Sequence, residues 1–216
     1  MKKILSIAPW MMLVAGLALQ APAAEAQQRV VLMEESRLWI EGQTNVNRFA
    51  CEAKTFTGEG VLAGELPMTA SSATGALRRS YRHVARLVVP VREFDCGKDR
   101  MNADLYRALK AEDYPEIVFE LDAASVAAAE DHRYGLVVDG RLRIAGVENA
   151  ITLTVQAERR ADGRYRATGG YPLRMSDYGI DPPRALLGLI RVDDQIVVHF
   201  DLVAAPVDSL THHESR

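Results

Sequence analysis

The chain has 216 residues, 48% of them hydrophobic and 25% charged, with a formal net charge of -3 at pH 7. So mild an acidity, spread along the sequence, argues against nucleic acid as a partner, and the length suits one domain with a sizeable core. Two cysteines, Cys51 and Cys96, with no C-x-x-C spacing, leave zinc and thioredoxin chemistry without support.

Residues 1–26 read as a cleavable leader. Lys2 and Lys3 precede an apolar run from Ile4 to Leu19, and Ala24-Glu25-Ala26 offers small residues at a cleavage site. The run is short for a membrane span, and no cysteine follows it to carry a lipid anchor. The expected division is a signal peptide over 1–26, a single domain over 27–205 and a flexible polar tail over 206–216. Export places Cys51 and Cys96 in an oxidising compartment. A disulfide is then the simplest reading, with two free buried thiols as the alternative.

Strand patterns then follow one another. Val30 to Met33 and Leu38 to Ile40 open the mature chain, and Glu59 to Leu66 carries Val61 and Leu62 between glycines. From Arg82 to Val91, residues Ala85, Leu87, Val89 and Val91 share a face. Asp99 to Glu112 predicts the one helix, with Met101, Leu105 and Leu109 on one side and Asp99 or Asn102 as cap. Such a helix either plugs the open end of a barrel or packs on its outer wall. Ile117, Phe119 and Leu121 alternate with Val118, Glu120 and Asp122. The alanine-rich stretch Ala123 to Ala129 has helix propensity but reads as a loop between strands.

Val138 to Val155 carries the strongest pattern. Leu142 and Ile144 alternate with Arg141 and Arg143; after Gly146 to Asn149 the alternation resumes with Ile151, Leu153 and Val155. Two strands joined by a tight turn are predicted, with Gly146 and Gly179 as backbone-conformation positions. Tyr165 to Met175 is a polar, glycine-broken strand. Ile196, Val198, Phe200 and Leu202 mark the last one, with His199 facing outward. Strands at this spacing indicate an all-β antiparallel barrel or sandwich.

No catalytic set emerges. No serine lies in G-x-S-x-G, Gly58, Gly60 and Gly64 read as strand-turn glycines, and none of His83, His132, His199, His212 and His213 stands four residues from another. No cofactor or metal is expected. Strand periodicity does not distinguish a filled barrel from one holding a ligand.

Four segments together resemble the YceI-like family of secreted lipid-binding proteins. They are Ser36 to Cys51, beginning Ser-Arg-Leu-Trp-Ile-Glu-Gly; Phe94-Asp95-Cys96-Gly97 through the helix to Tyr114-Pro115-Glu116-Ile117-Val118-Phe119; Gly140 to Val147; and Met175 to Ile180 with Pro182-Pro183 after it. The chain departs from the family wording at Met175, where an arginine is usual, at Tyr178, and in the order Asp99-Arg100-Met101. The resemblance implies an extended, lipocalin-like antiparallel β-barrel of eight or more strands with one short helix. It also implies a lengthwise apolar cavity for a polyisoprenoid or other long-chain lipid, a periplasmic or secreted location and no enzymatic activity. Phe49, Phe56, Leu87, Phe119, Leu121, Leu142, Ile144, Leu153, Val198 and Phe200 are the candidate cavity residues, with Tyr178 and Asp177 at a mouth. The alternatives are a filled structural barrel of the envelope and, behind it, an enzyme acting on an apolar substrate through a buried acid.

Overall fold

Period-two alternation lays down fourteen strands among the residues that the computed structural model describes, 27–63, 80–81, 84–130, 133–185 and 189–207. The N-terminal half carries β1 (Gln27–Leu32), β2 (Arg37–Gln43), β3 (Arg48–Ala53), β4 (Thr57–Ala63), β5 (Ser80–Tyr81), β6 (Val84–Pro90) and β7 (Phe94–Asp95). Helix α1 (Asp99–Ala108) follows. The second half holds the long strands β8 (Glu116–Glu130), β9 (Arg133–Ile144), β10 (Val147–Arg159) and β11 (Tyr165–Arg174). The short pair β12 (Arg184–Ala185) and β13 (Ile190–Arg191) precedes β14 (Gln195–Pro206). The expected leader, most of the tail, Gly64, Arg82 and the histidines other than His199 lie outside the described residues.

The sheet runs β1-β4-β6-β8-β9-β10-β11-β14 and closes where β14 pairs back onto β1, so eight antiparallel strands form the barrel. The outer edge of β14 serves two partners. Val197 to Asp201 pair with β2, which leads on to β3 and β7, and Ala204 to Pro206 pair with β1. Val203 lies at the changeover. Its N–H donates to the Ser36 hydroxyl at 3.0 Å, and its carbonyl accepts from that hydroxyl at 3.1 Å and from the Met33 N–H at 2.8 Å. The switch of partner therefore strands no backbone polar group.

Several expectations are corrected. Ala123 to Ala129 is not a loop; it continues β8 against β9, with register shifts at Leu121/Ala123 and Val126/Ala128. Pairing with the long free edge of β9 outweighs the helix propensity of alanine. The hairpin turn is Ala145-Gly146, not Gly146 to Asn149, because β10 already begins at Val147. Gly58 and Gly60 lie inside β4 rather than at turns. α1 stops at Ala108, short of Glu112. Lys110 takes a left-handed φ of 54°, and the Lys110 and Ala111 N–H groups bond back to Arg107 and Tyr106 carbonyls, a Schellman closure. Neither Asp99 nor Asn102 caps the helix. Lys98 is the N-cap residue, and Asn102 instead accepts from the Cys96 N–H and donates to Asp95. Among the described residues no helix is long and apolar enough to cross a bilayer.

The hairpin turn makes a direct prediction. Ala145 and Gly146 have φ of 48° and 83°, the pair of positive values that a two-residue hairpin of this twist needs. A Cβ on Gly146 would stand 2.5 Å from the Tyr114 ring. Tyr114 is exposed and its ring can swing aside, so backbone strain sets the cost. Gly146→Val should lower stability by about 2 kcal/mol, the left-handed penalty for a side chain. Urea unfolding at the wild-type midpoint would show this placement to be wrong.

On the outer wall Arg166 donates to both carboxylate oxygens of Asp201, each at 2.7 Å, tying β11 to β14. These hydrogen bonds hold the Asp201 carboxyl below the usual range. A depressed carboxylate stabilises the fold above its unfolded pKa of about 3.9, and that contribution disappears as pH falls through the folded value. Both side chains are about one-third exposed, so the effect is modest. Melts between pH 2 and 7 should show a shallower acid decline for Asp201→Asn. Identical acid limbs would mean that the pair contributes nothing.

Candidate functional site

The barrel interior is not filled. A cavity of about 850 Å³ runs through it, where close-packed interiors leave few voids larger than a water molecule. Alternation along each wall strand supplies the lining. β8 contributes Ile117, Phe119 and Leu121, β9 Leu136, Val138, Leu142 and Ile144, and β10 Ile151, Leu153 and Val155. β14 adds Ile196, Val198, Phe200 and Leu202, and β6 adds Ala85, Leu87 and Val89. Leu142 and Ile144 are buried, whereas Phe119, Leu121, Leu153, Val198 and Phe200 are only half-buried, since they face the void rather than a packed neighbour.

α1 forms part of this wall. Met101, Leu105, Ala108 and Leu109, one face of the helix and its C-cap, line the cavity. The plug alternative for the helix therefore holds over packing on the outer wall. Its start is tied down by the Cys51–Cys96 disulfide, and both cysteines border the cavity. Tyr106 adds a second anchor. Its hydroxyl shares its one proton between the Phe94 carbonyl at 2.7 Å and that of Arg92 at 2.9 Å.

Polar side chains also border the cavity, Glu59 and Asp104 among them. Thr44, Asn47 and Arg48 come from the β2–β3 hairpin, Lys98 and Arg100 from the start of α1, and Arg184 from β12. The hairpin is braced: Thr44 bridges to Val192, and the Asn45 side chain bonds the Leu189 carbonyl and the Arg191 N–H.

Of the residues expected from the sequence, Phe49, Leu87, Phe119, Leu121, Leu142, Ile144, Leu153, Val198 and Phe200 face this space together. Phe56 does not; it packs beside Leu38, Ile40 and Cys51. Tyr178 is also absent from the lining. It is buried in the cluster of Leu142, Ile144 and Met175, and burial pushes its phenol up to about 12. Asp177 and Tyr178 border a second pocket with Asn149 and Gln195, and Ile151, Tyr171 and Leu173 line both pockets. Met175, at the position of the family arginine, adds apolar surface to the main cavity. His199 lies on the outer wall, stacked on Trp39 with ring centroids 5.1 Å apart. The sequence reading missed the lining role of Leu38 and Ile40, the helix face, Tyr165 and Tyr171. Leu38 and Ile40 share the period of the strand already assigned there, and that signal was available.

Phe119 tests whether this space is a void. Phe→Ala at a fully packed site costs about 3–5 kcal/mol. Phe119 borders open volume, so Phe119→Ala should cost only about 1–2 kcal/mol by the apolar area removed. A measured loss at the upper end of the packed-core range would show the interior to be filled.

A sequence profile of the YceI-like domain matches residues 33–204. No curated protein sequence matches the chain. Solved structures share the fold at low identity. A polyisoprenoid binding domain from Saccharophagus degradans, implicated in plant cell wall breakdown, superposes with a TM-score of 0.61 at 15% identity, covering 82% of this chain and 98% of that one. BcnA of Burkholderia cenocepacia superposes with a TM-score of 0.57 at 20% identity, covering 79% and 96%.

Proposed function

We propose that this chain, which belongs to the YceI-like family, is an exported carrier that holds one long apolar lipid, in first place a polyisoprenoid, without transforming it. The observation that carries the reading is the long apolar cavity of about 850 Å³. An isoprenoid tail offers such a wall only apolar surface, and each methylene-sized group buried gains about 0.8 kcal/mol. Association and ordering cost at least about 4 kcal/mol and often far more. A short tail barely offsets that, whereas a long one leaves a surplus. The polar end of the lipid stays near Arg48, Lys98 and Arg100.

Three further observations support the reading. One structural relative is described as a polyisoprenoid binding domain. The disulfide suits an oxidising compartment, in keeping with a leader over residues 1–26 and a periplasmic or secreted destination. The void argues against a filled structural barrel, which would place bulky side chains there. The test is titration of delipidated protein with a fluorescent polyene fatty acid and its displacement by a polyisoprenoid alcohol. Saturable 1:1 binding with full displacement is expected; no uptake of either compound would overturn the reading.

A further inference from the structure

Two phenylalanine rings of the cavity wall lie flat over bare glycines of the neighbouring strand. Phe49 on β3 stands directly opposite Gly42 on β2, and Phe200 on β14 directly opposite Gly169 on β11. Both glycines face inward. Gly42 follows Leu38 and Ile40, and Gly169 lies between Ala167 and Tyr171, all of which line the cavity. A Cβ on Gly42 would fall 2.5 Å from Cζ of Phe49, and one on Gly169 would fall 2.5 Å from Cζ of Phe200. The ring and any side chain at the glycine therefore claim the same volume.

The contacts below 3.0 Å are with the far ends of rings that border open space, and this decides where most of the strain goes. The Cβ would also stand 3.2 Å from Ile196 Cγ2 at Gly42 and 3.1 Å from the Thr154 backbone carbonyl at Gly169, contacts that need the neighbour to give by only a few tenths of an ångström. An added methyl pushes the ring off the wall into the lumen rather than breaking the sheet. Gly140 differs, since a Cβ there would also meet the Glu120 backbone carbonyl at 2.5 Å. Bare glycine weakens a strand and packs nothing. A strand glycine leaves room for a close neighbour, and here that neighbour is a phenylalanine ring at the lumen wall.

We propose that Gly42 and Gly169 are specificity-determining residues. They set the bore by giving Phe49 and Phe200 a place to lie flat, and this width admits methyl-branched chains as well as linear ones. The inference rests on the lipid-carrier reading and adds the residues that choose among lipids. Narrowing the lumen costs a branched chain more than a slim one, because the displaced ring takes the room its methyl groups need.

The experiment compares two ligands on delipidated protein: cis-parinaric acid, linear and fluorescent, and geranylgeraniol as a methyl-branched competitor. Gly42→Ala and Gly169→Ala should bind the linear probe within about threefold of wild type and the branched alcohol at least about tenfold more weakly. Phe49→Leu added to Gly42→Ala should restore the branched alcohol. Gly135→Ala is the control, because a Cβ there meets nothing nearer than 3.5 Å, and it should change neither affinity. An unchanged ratio in the single variants, failure of the double variant to restore binding, or a Gly42→Ala chain that does not fold would overturn the inference, the last by showing that the ring has nowhere to go. Wild type that takes the linear probe but not the alcohol overturns the bore assignment alone. Wild type that takes neither overturns the carrier reading with it.

Discussion

Leu142→Glu should abolish lipid retention. Leu142 is 9% exposed, faces the cavity from β9 and belongs to the largest apolar cluster, with Ile144, Ile151 and Met175 around it. The substitution removes buried apolar area and sets a carboxyl group in a wall built to exclude water. An ionised carboxylate there costs several kcal/mol, so the group takes up a proton or draws water into the lumen. Either outcome spoils the surface that an apolar chain needs. Probe affinity should fall by about a hundredfold or more, equivalent to about 3 kcal/mol. Recovery of part of that affinity at acid pH would identify the charge, rather than lost packing, as the cause. Arg143→Gln, one residue along the same strand on the exposed face, should leave binding unchanged. Wild-type affinity in folded Leu142→Glu protein would mean that the lipid lies elsewhere.

Removing the Cys51–Cys96 bridge should cost stability far more than function. The bond links residues 45 apart in sequence, and Cys51 is almost wholly buried. Closing a loop of that length restricts the unfolded chain by about 4 kcal/mol on the chain-entropy estimate. The double variant Cys51→Ala/Cys96→Ala should therefore unfold at a markedly lower urea concentration. α1 keeps its other ties: the Tyr106 hydroxyl to two carbonyls, and Asn102 between Asp95 and the Cys96 N–H. Lipid should still bind to the folded variant. An unchanged urea midpoint would contradict the stability assignment, and lost binding in folded protein would show that the bridge itself shapes the cavity.

Much of this architecture is legible in the residues, because a barrel wall repeats one local rule. Leu142, Ile144, Ile151 and Leu153 announce their face through period two alone. Where that rule weakens, reading the sequence fails. β3 escapes the sequence reading although Phe49, Cys51 and Ala53 alternate with Arg48, Ala50 and Glu52; the strand is short and its small residues carry little pattern. Ala123 to Ala129 has the composition of a helix, and pairing with β9, and with β5 at Ala124 and Ser125, makes it β. The turn at Ala145-Gly146 depends on two backbone angles that a non-glycine first residue does not advertise. The site is the harder case. Periodicity says which side chains point inward, not whether they meet. The void arises from the mismatch between barrel radius and side-chain volume, and from glycines opposite phenylalanines. Those pairings exist only once strand register is set. Phe56 and Tyr178, two of the candidates, lie away from the lining.

The most direct measurement is mass spectrometry of the organic extract from protein purified without detergent, alongside native mass spectrometry of the intact complex. The carrier account predicts one long-chain apolar lipid per chain, with an isoprenoid mass series foremost, and its loss from Leu142→Glu. Lipid-free wild-type protein that also refuses both linear and branched probes would contradict it, and would leave the cavity without the occupant proposed for it.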